Sequence, residues 1–75
     1  MKITGTNSYI KVEIGGKILK IEGEMIVGGF VAYKNSIKQW DPPYETQIID
    51  ENTKNEIVQK VIEKTKDSHM VISFE

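Results

Sequence analysis

The chain has 75 residues, with ten Lys and no Arg against eleven Asp and Glu, a formal net charge of −1, a single His and no Cys. At this length one thin core is the limit, burying about 60% of the surface the unfolded chain exposes, and net stability of about 4–11 kcal/mol follows from the usual per-residue range. Composition therefore excludes a second domain, a disulfide framework, thiolate metal sites and cysteine nucleophiles.

Tyr9 to Ile14 alternates, with Ile10, Val12 and Ile14 on one side and Tyr9, Lys11 and Glu13 on the other, the pattern of a half-buried strand. Gly15-Gly16 turns the chain. A two-residue loop there sets Ile14 opposite Lys17, Val12 opposite Leu19 and Ile10 opposite Ile21, so the apolar residues of both strands share one face. Lys11 then lies opposite Lys20 on a wet face, a small repulsion that Glu13 and Glu22 offset diagonally.

The alternation continues to Val27, giving one long strand bent at Gly23; the competing reading makes Gly23-Glu24 a turn and leaves only a short strand after it. A second turn at Gly28-Gly29 places Phe30 opposite Val27 and Ala32 opposite Met25, with a third strand reaching about Lys34. Pro42 and Pro43 lack amide protons and restrict the residues before them, so residues 35–48 form a long loop. Loops of that length in compact domains tend to be functional.

Asp50 fits the N-cap of a helix running to about Lys66, with Glu51 in its first turn and Lys64 and Lys66 in its last, as the macrodipole favours. Ile57, Val58, Val61, Ile62 and Thr65 fall in one arc of about 140° at 100° per residue. Met70 to Phe74 closes the chain as a strand. The expected fold is one α+β domain over residues 1–75, mainly an antiparallel sheet of about four strands in the order βββ-α-β, with one helix on one face. The position of the last strand in the sheet stays open. The expected core is Ile10, Val12, Leu19, Ile21, Met25, Val27, Phe30, Ala32, Ile57, Val58, Val61, Ile62, Ile72 and Phe74.

Catalytic chemistry is poorly represented. Asp67 and His69 lie in a polar turn where solvation explains them, and Ser36, Asp41 and His69 have the residue types of a nucleophilic triad without a nucleophile elbow around the serine. The two Gly-Gly pairs lack the further glycine and lysine of a phosphate-binding loop. No catalytic, metal or cofactor-binding residue is assigned, and no cofactor is expected.

The most unusual segment is residues 37–45, which holds the only Trp, both Pro and one of three Tyr. Trp40 is read first as a plug for the end of a thin core, which has few other large side chains to fill it, and second as an anchor for a partner on a proline-stiffened loop; Tyr44, past the prolines, is open to both readings. The expected partner-binding residues are Tyr33, Lys34, Trp40, Asp41, Pro42, Pro43, Tyr44 and Glu45.

Gly28-Gly29-Phe30-Val31, Tyr33, Ser36, Ile37, Trp40, Pro42-Pro43, the acidic helix start and Ile57 together resemble a family of bacterial polymorphic-toxin immunity proteins, immunity protein 74. The resemblance covers most of the chain and implies a small protein that neutralises a cognate toxin by binding it, with no cofactor and no catalytic residues to carry over. Trp40, Pro42 and Pro43 are shared features of no assigned role. The rival reading is a protein-interaction module that assembles as a homodimer.

Partners of other kinds are not expected. The absence of Arg removes the planar fork that reads guanine or clamps phosphate, and the scattered lysines form no stripe along which nucleic acid could run. No apolar run approaches the roughly 18 residues a membrane span needs, and the start, Met1-Lys2-Ile3-Thr4-Gly5, lacks the apolar stretch of a secretory signal, so a cytoplasmic location is expected.

Overall fold

The computed structural model describes residues 1–75, which form five strands, a 3₁₀ turn and one helix. Strand β1 is Lys2–Gly5, β2 Tyr9–Ile14, β3 Lys17–Ile26, β4 Gly29–Ala32 and β5 Val71–Phe74; α1 is Glu51–Thr65. All five strands join one sheet in the order β1-β2-β3-β4-β5. The first three pairings that link β1 to β4 are antiparallel, and β4 pairs with β5 in parallel.

Two corrections to the sequence reading concern that sheet: it has five strands rather than about four, and it is mixed. The strand β1 was missed because Lys2-Ile3-Thr4-Gly5 offers a single apolar residue, too little for an alternation to show. The last strand lies beside the Phe30 strand and runs parallel to it, because the loop and α1 together supply the long crossover that a parallel pair requires.

The first hairpin has the expected register, with Ile14↔Lys17, Val12↔Leu19 and Ile10↔Ile21 paired. Gly15 and Gly16 take φ of 57° and 81°, the double positive φ of a type I′ turn. Lys11 does face Lys20. The expected diagonal carboxylates do not engage them: Lys11 Nζ reaches Asp41 Oδ2 at 3.2 Å, and Lys20 Nζ sits 4.6 Å over the Tyr9 ring.

The second hairpin keeps a two-residue turn, but the turn sits one residue earlier than expected. Ile26 pairs with Gly29 and Met25 with Phe30, so the turn residues are Val27 and Gly28, and only Gly28 has positive φ, 79°. Gly29 is used for close approach instead, since a Cβ there would lie 2.5 Å from the Val71 carbonyl oxygen of β5. The shifted register also lays the Phe30 ring across Gly23, where a Cβ would lie 2.4 Å from Phe30 Cε1. Val27, expected in the core, is fully exposed at the turn, and Met25 is 42% exposed.

The helix packs on the inner face of the sheet through Ile57, Val58, Val61 and Thr65, with Ile62 half-buried at the margin. Ile57, Val58 and Val61 make the core together with Ile10, Val12, Leu19, Ile21, Phe30, Ala32 and Ile72, joined by Trp40, the plug of the first reading, and by Ile37, which the sequence reading left out. Phe74 is half-buried against that cluster. The buried Thr65 hydroxyl donates to the Val61 carbonyl and accepts from the Ile72 N–H at 3.1 Å, so no polar atom is stranded.

Asp50 caps α1 by accepting the Thr53 backbone N–H at 2.8 Å. That bond, with a further contribution from the Thr53 side chain, holds the Asp50 carboxyl below its ordinary value. A group with a depressed folded pKa contributes stability that is complete above its unfolded value and is lost as pH falls through the folded one. Asp50→Asn should therefore melt below wild type at pH 5–7, and the gap should begin to close as pH falls below about 4, the ordinary carboxylate range, and vanish only once pH is under the depressed folded value. A constant gap down to pH 2 would mean that the capping charge contributes nothing.

Candidate partner-binding surface

Residues 34–48 are bound to the sheet rather than loose. The 3₁₀ turn Lys34–Ser36 leads out of β4, and Ser36 Oγ accepts the Glu22 N–H at 2.9 Å while donating to the Tyr33 carbonyl. Four residues back along β3, the Asp41 N–H donates to the Ile18 carbonyl at 2.7 Å. The segment thus covers the half of β3 that β4 leaves unpaired, which blunts an otherwise open strand edge.

Between those two attachment points Ile37 and Trp40 turn inward, and Trp40 is only 5% exposed. The Lys17 ammonium lies 5.3 Å from the Trp40 ring centroid and 5.8 Å from that of Tyr44, and it donates to Gln47 Oε1 at 2.5 Å. One lysine, placed by the first hairpin, therefore fastens both sides of the loop. A bridge between Gln39 and Ile48 closes the loop at its base, and the Pro42-Pro43 bond within it is cis.

Of the eight residues expected to meet a partner, Pro42, Pro43, Tyr44 and Glu45 stand exposed on the outer turn of this loop. Asp41 is half-buried beneath them in its ion pair with Lys11, and Trp40 is in the core. Tyr33 and Lys34 are separate. Tyr33 attaches at Glu22 and Tyr44 sits over Lys17, so about 17 Å of strand at 3.3 Å per residue lies between the two. Ile48, 87% exposed beside Gln39 at the base of the loop, carried no sequence signal beyond its place in that loop.

A second apolar surface occupies the far end of the molecule, which measures 35 × 21 × 20 Å. Met25, Ile26 and Val27 from the second hairpin and Met70 and Val71 from the start of β5 are all exposed there. The pairings Ile26↔Gly29↔Val71 put Ile26 and Val71 on either side of a residue with no side chain. Large apolar residues left exposed together at one end of a molecule make that end a candidate interaction surface. Sequence reasoning missed this patch because the alternation continues to Val27 and so promised burial.

The candidate catalytic residues are not assembled. Ser36 attaches at Glu22 and Asp41 at Ile18, about 13 Å apart along β3, and His69 lies exposed beyond the helix. No three His, Asp or Glu side chains come together in a way that would hold a metal ion. No helix is long and apolar enough to cross a membrane.

A small mixed sheet with one helix across it, a loop bolted to a strand edge and two exposed apolar ends make up a scaffold whose distinctive features are surfaces for contact. The family model for immunity protein 74 matches residues 2–75, and the chain belongs to that family. No curated protein and no solved structure matches it.

Proposed function

We propose that this protein is the immunity partner of a bacterial polymorphic toxin and neutralises it in the cytoplasm by binding and occluding it, without catalysis or a cofactor. The observation that carries this reading is the family match over residues 2–75. The loop supports it. Pro42, Pro43, Tyr44 and Glu45 present an aromatic side chain on a segment held at both flanks by Asp41 and Gln47, so little ordering is left to be done on binding.

In this reading Tyr44 and Glu45 touch the toxin, with Ile48 extending the apolar contact. Trp40 and Asp41 position the loop from below through the core and the Lys11 ion pair. Tyr33 and Lys34 form the margin nearest the middle of β3. A net charge of −1 leaves shape and apolar contact, more than long-range attraction, to select the partner.

Tyr44→Ala should weaken binding of the toxin domain encoded beside the gene by about 1–3 kcal/mol, or about five- to 150-fold, while leaving the melting temperature within a few degrees of wild type. Calorimetric titration and a thermal melt on the same preparation read both. A variant that melts early yet binds normally when folded would make the loop a structural plug and move the contact surface elsewhere.

A further inference from the structure

The sheet has two outer edges, and the fold treats them differently. On β5 the peptide groups of Val71 and Ser73 face β4, so those of Ile72 and Phe74 face outward, and the Ile72 N–H is taken by Thr65 Oγ1 of the helix. The exposed half of β3 is covered by Ser36 and Asp41. The edge of β1 has no such cover. Because the Thr6 N–H donates to the Tyr9 carbonyl, the alternation of the ladder turns Thr4 and Lys2 toward β2 and leaves the N–H and C=O groups of Ile3 and Gly5 facing away from the sheet.

Those groups do not face open solvent alone. They border a groove of about 370 Å³ between β1 and the end of α1, lined also by the apolar Ile10, Met25, Met70 and Ile72 and by Thr65 and Ser68. Lys64 is the one charged side chain in its lining and makes no ion pair within the chain. Met25 and Met70 of its lining are exposed and adjoin in sequence Ile26 and Val71, which are exposed on the outer face of the sheet.

We infer that this groove takes an extended segment of the toxin, about four residues long, which adds as a sixth strand against β1. This rests on the immunity reading above and names a second contact, at the β1 edge, on the other side of β3 from the loop that carries Tyr44. The occupant follows from the chemistry of the groove. Donors and acceptors of Ile3 and Gly5 recur at two-residue spacing along one line, a spacing matched by the backbone of another extended chain. The apolar lining takes alternate apolar side chains of such a segment, and Lys64 takes one acidic residue among them. The four residues of β1 span about 13 Å at 3.3 Å per residue, which sets the length.

The test follows amide hydrogen exchange by NMR on the full chain, free and saturated with the toxin domain encoded beside its gene, together with affinities for Met70→Lys, Met70→Leu and Lys64→Glu. Strand addition predicts that the Ile3 and Gly5 amides exchange quickly in the free protein and at least tenfold more slowly in the complex. Met70→Lys and Lys64→Glu should each weaken binding at least tenfold, with melting within a few degrees of wild type for Met70→Lys and lowered by several degrees for Lys64→Glu, whose charge no longer suits the helix C-terminus, and Met70→Leu should bind as wild type. If wild type binds and Tyr44→Ala weakens it, yet Ile3 and Gly5 exchange unchanged and the groove variants bind normally, the groove inference fails and the immunity reading stands. If wild type does not bind the toxin domain, both fail. A dimer of the free protein in light scattering, with Ile3 and Gly5 already protected, would make a second copy the occupant and overturn the assignment to the toxin.

Discussion

Phe30→Ala is expected to lower the free energy of unfolding by about 3–5 kcal/mol, the cost of emptying a fully buried aromatic site that cannot collapse. Collapse is restricted on both sides. Phe30 is paired to Met25 on β3 and to Ile72 on β5, so its backbone is fixed by two strands, and the ring lies against Gly23, which has no side chain to move into the void. Set against about 4–11 kcal/mol in total, the loss removes at least about a quarter of the stability. Urea unfolding followed by circular dichroism measures it. A midpoint shift worth less than about 1 kcal/mol would mean that Phe30 is not seated as described.

Trp40→Ala should cost a similar amount, about 3–5 kcal/mol, for a different reason. Trp40 joins a loop to the core: its ring is buried, Lys17 stands over it, and the next residue hydrogen-bonds to Ile18. Truncation removes the apolar contact and releases residues 41–47 from the sheet together, so hydrogen exchange at Asp41 and Gln47 should rise along with the loss of stability. Trp40→Phe keeps most of the buried area and should recover more than half of it. If Trp40→Ala unfolds at the wild-type urea concentration, the loop is held by its hydrogen bonds alone.

The inner face of the first hairpin and of the helix was legible because alternation and 3.6-residue periodicity are both strong there, and the Gly15-Gly16 turn leaves only one register that puts Ile10, Val12, Leu19 and Ile21 together. The second hairpin misled for a reason that is local. A Gly-Gly pair signals a turn, but Gly29 is needed where β5 passes its backbone, a non-local demand that no nearby residue announces. The same kind of demand hides β1, which depends on β2 for its conformation, and the parallel placement of β5, which depends on a crossover of nearly forty residues between Ala32 and Val71.

The candidate site divides along the same line. Composition singled out residues 37–45, and the fold separates them into a buried half, Ile37 and Trp40, and an exposed half beginning at Pro42. Only the place of Trp40 was readable, from the lack of other large side chains to fill a thin core; that Ile37 joins it is decided by Lys17, Ile18 and Glu22 on a strand far away in sequence. The open edge of β1 was equally hidden. An edge is a property of strand order, and strand order is the part of a sheet that short-range pattern specifies least.

The most direct test of the proposed function pairs the protein with the toxin domain encoded beside its gene, in bacteria and in a calorimeter. Neutralisation by binding predicts that expression of the toxin domain arrests growth, that co-expression of this protein restores it, and that the purified pair forms a stoichiometric complex whose affinity falls in Tyr44→Ala. Growth arrest that persists with the protein abundant and folded, and no heat of binding at micromolar concentrations, would contradict it.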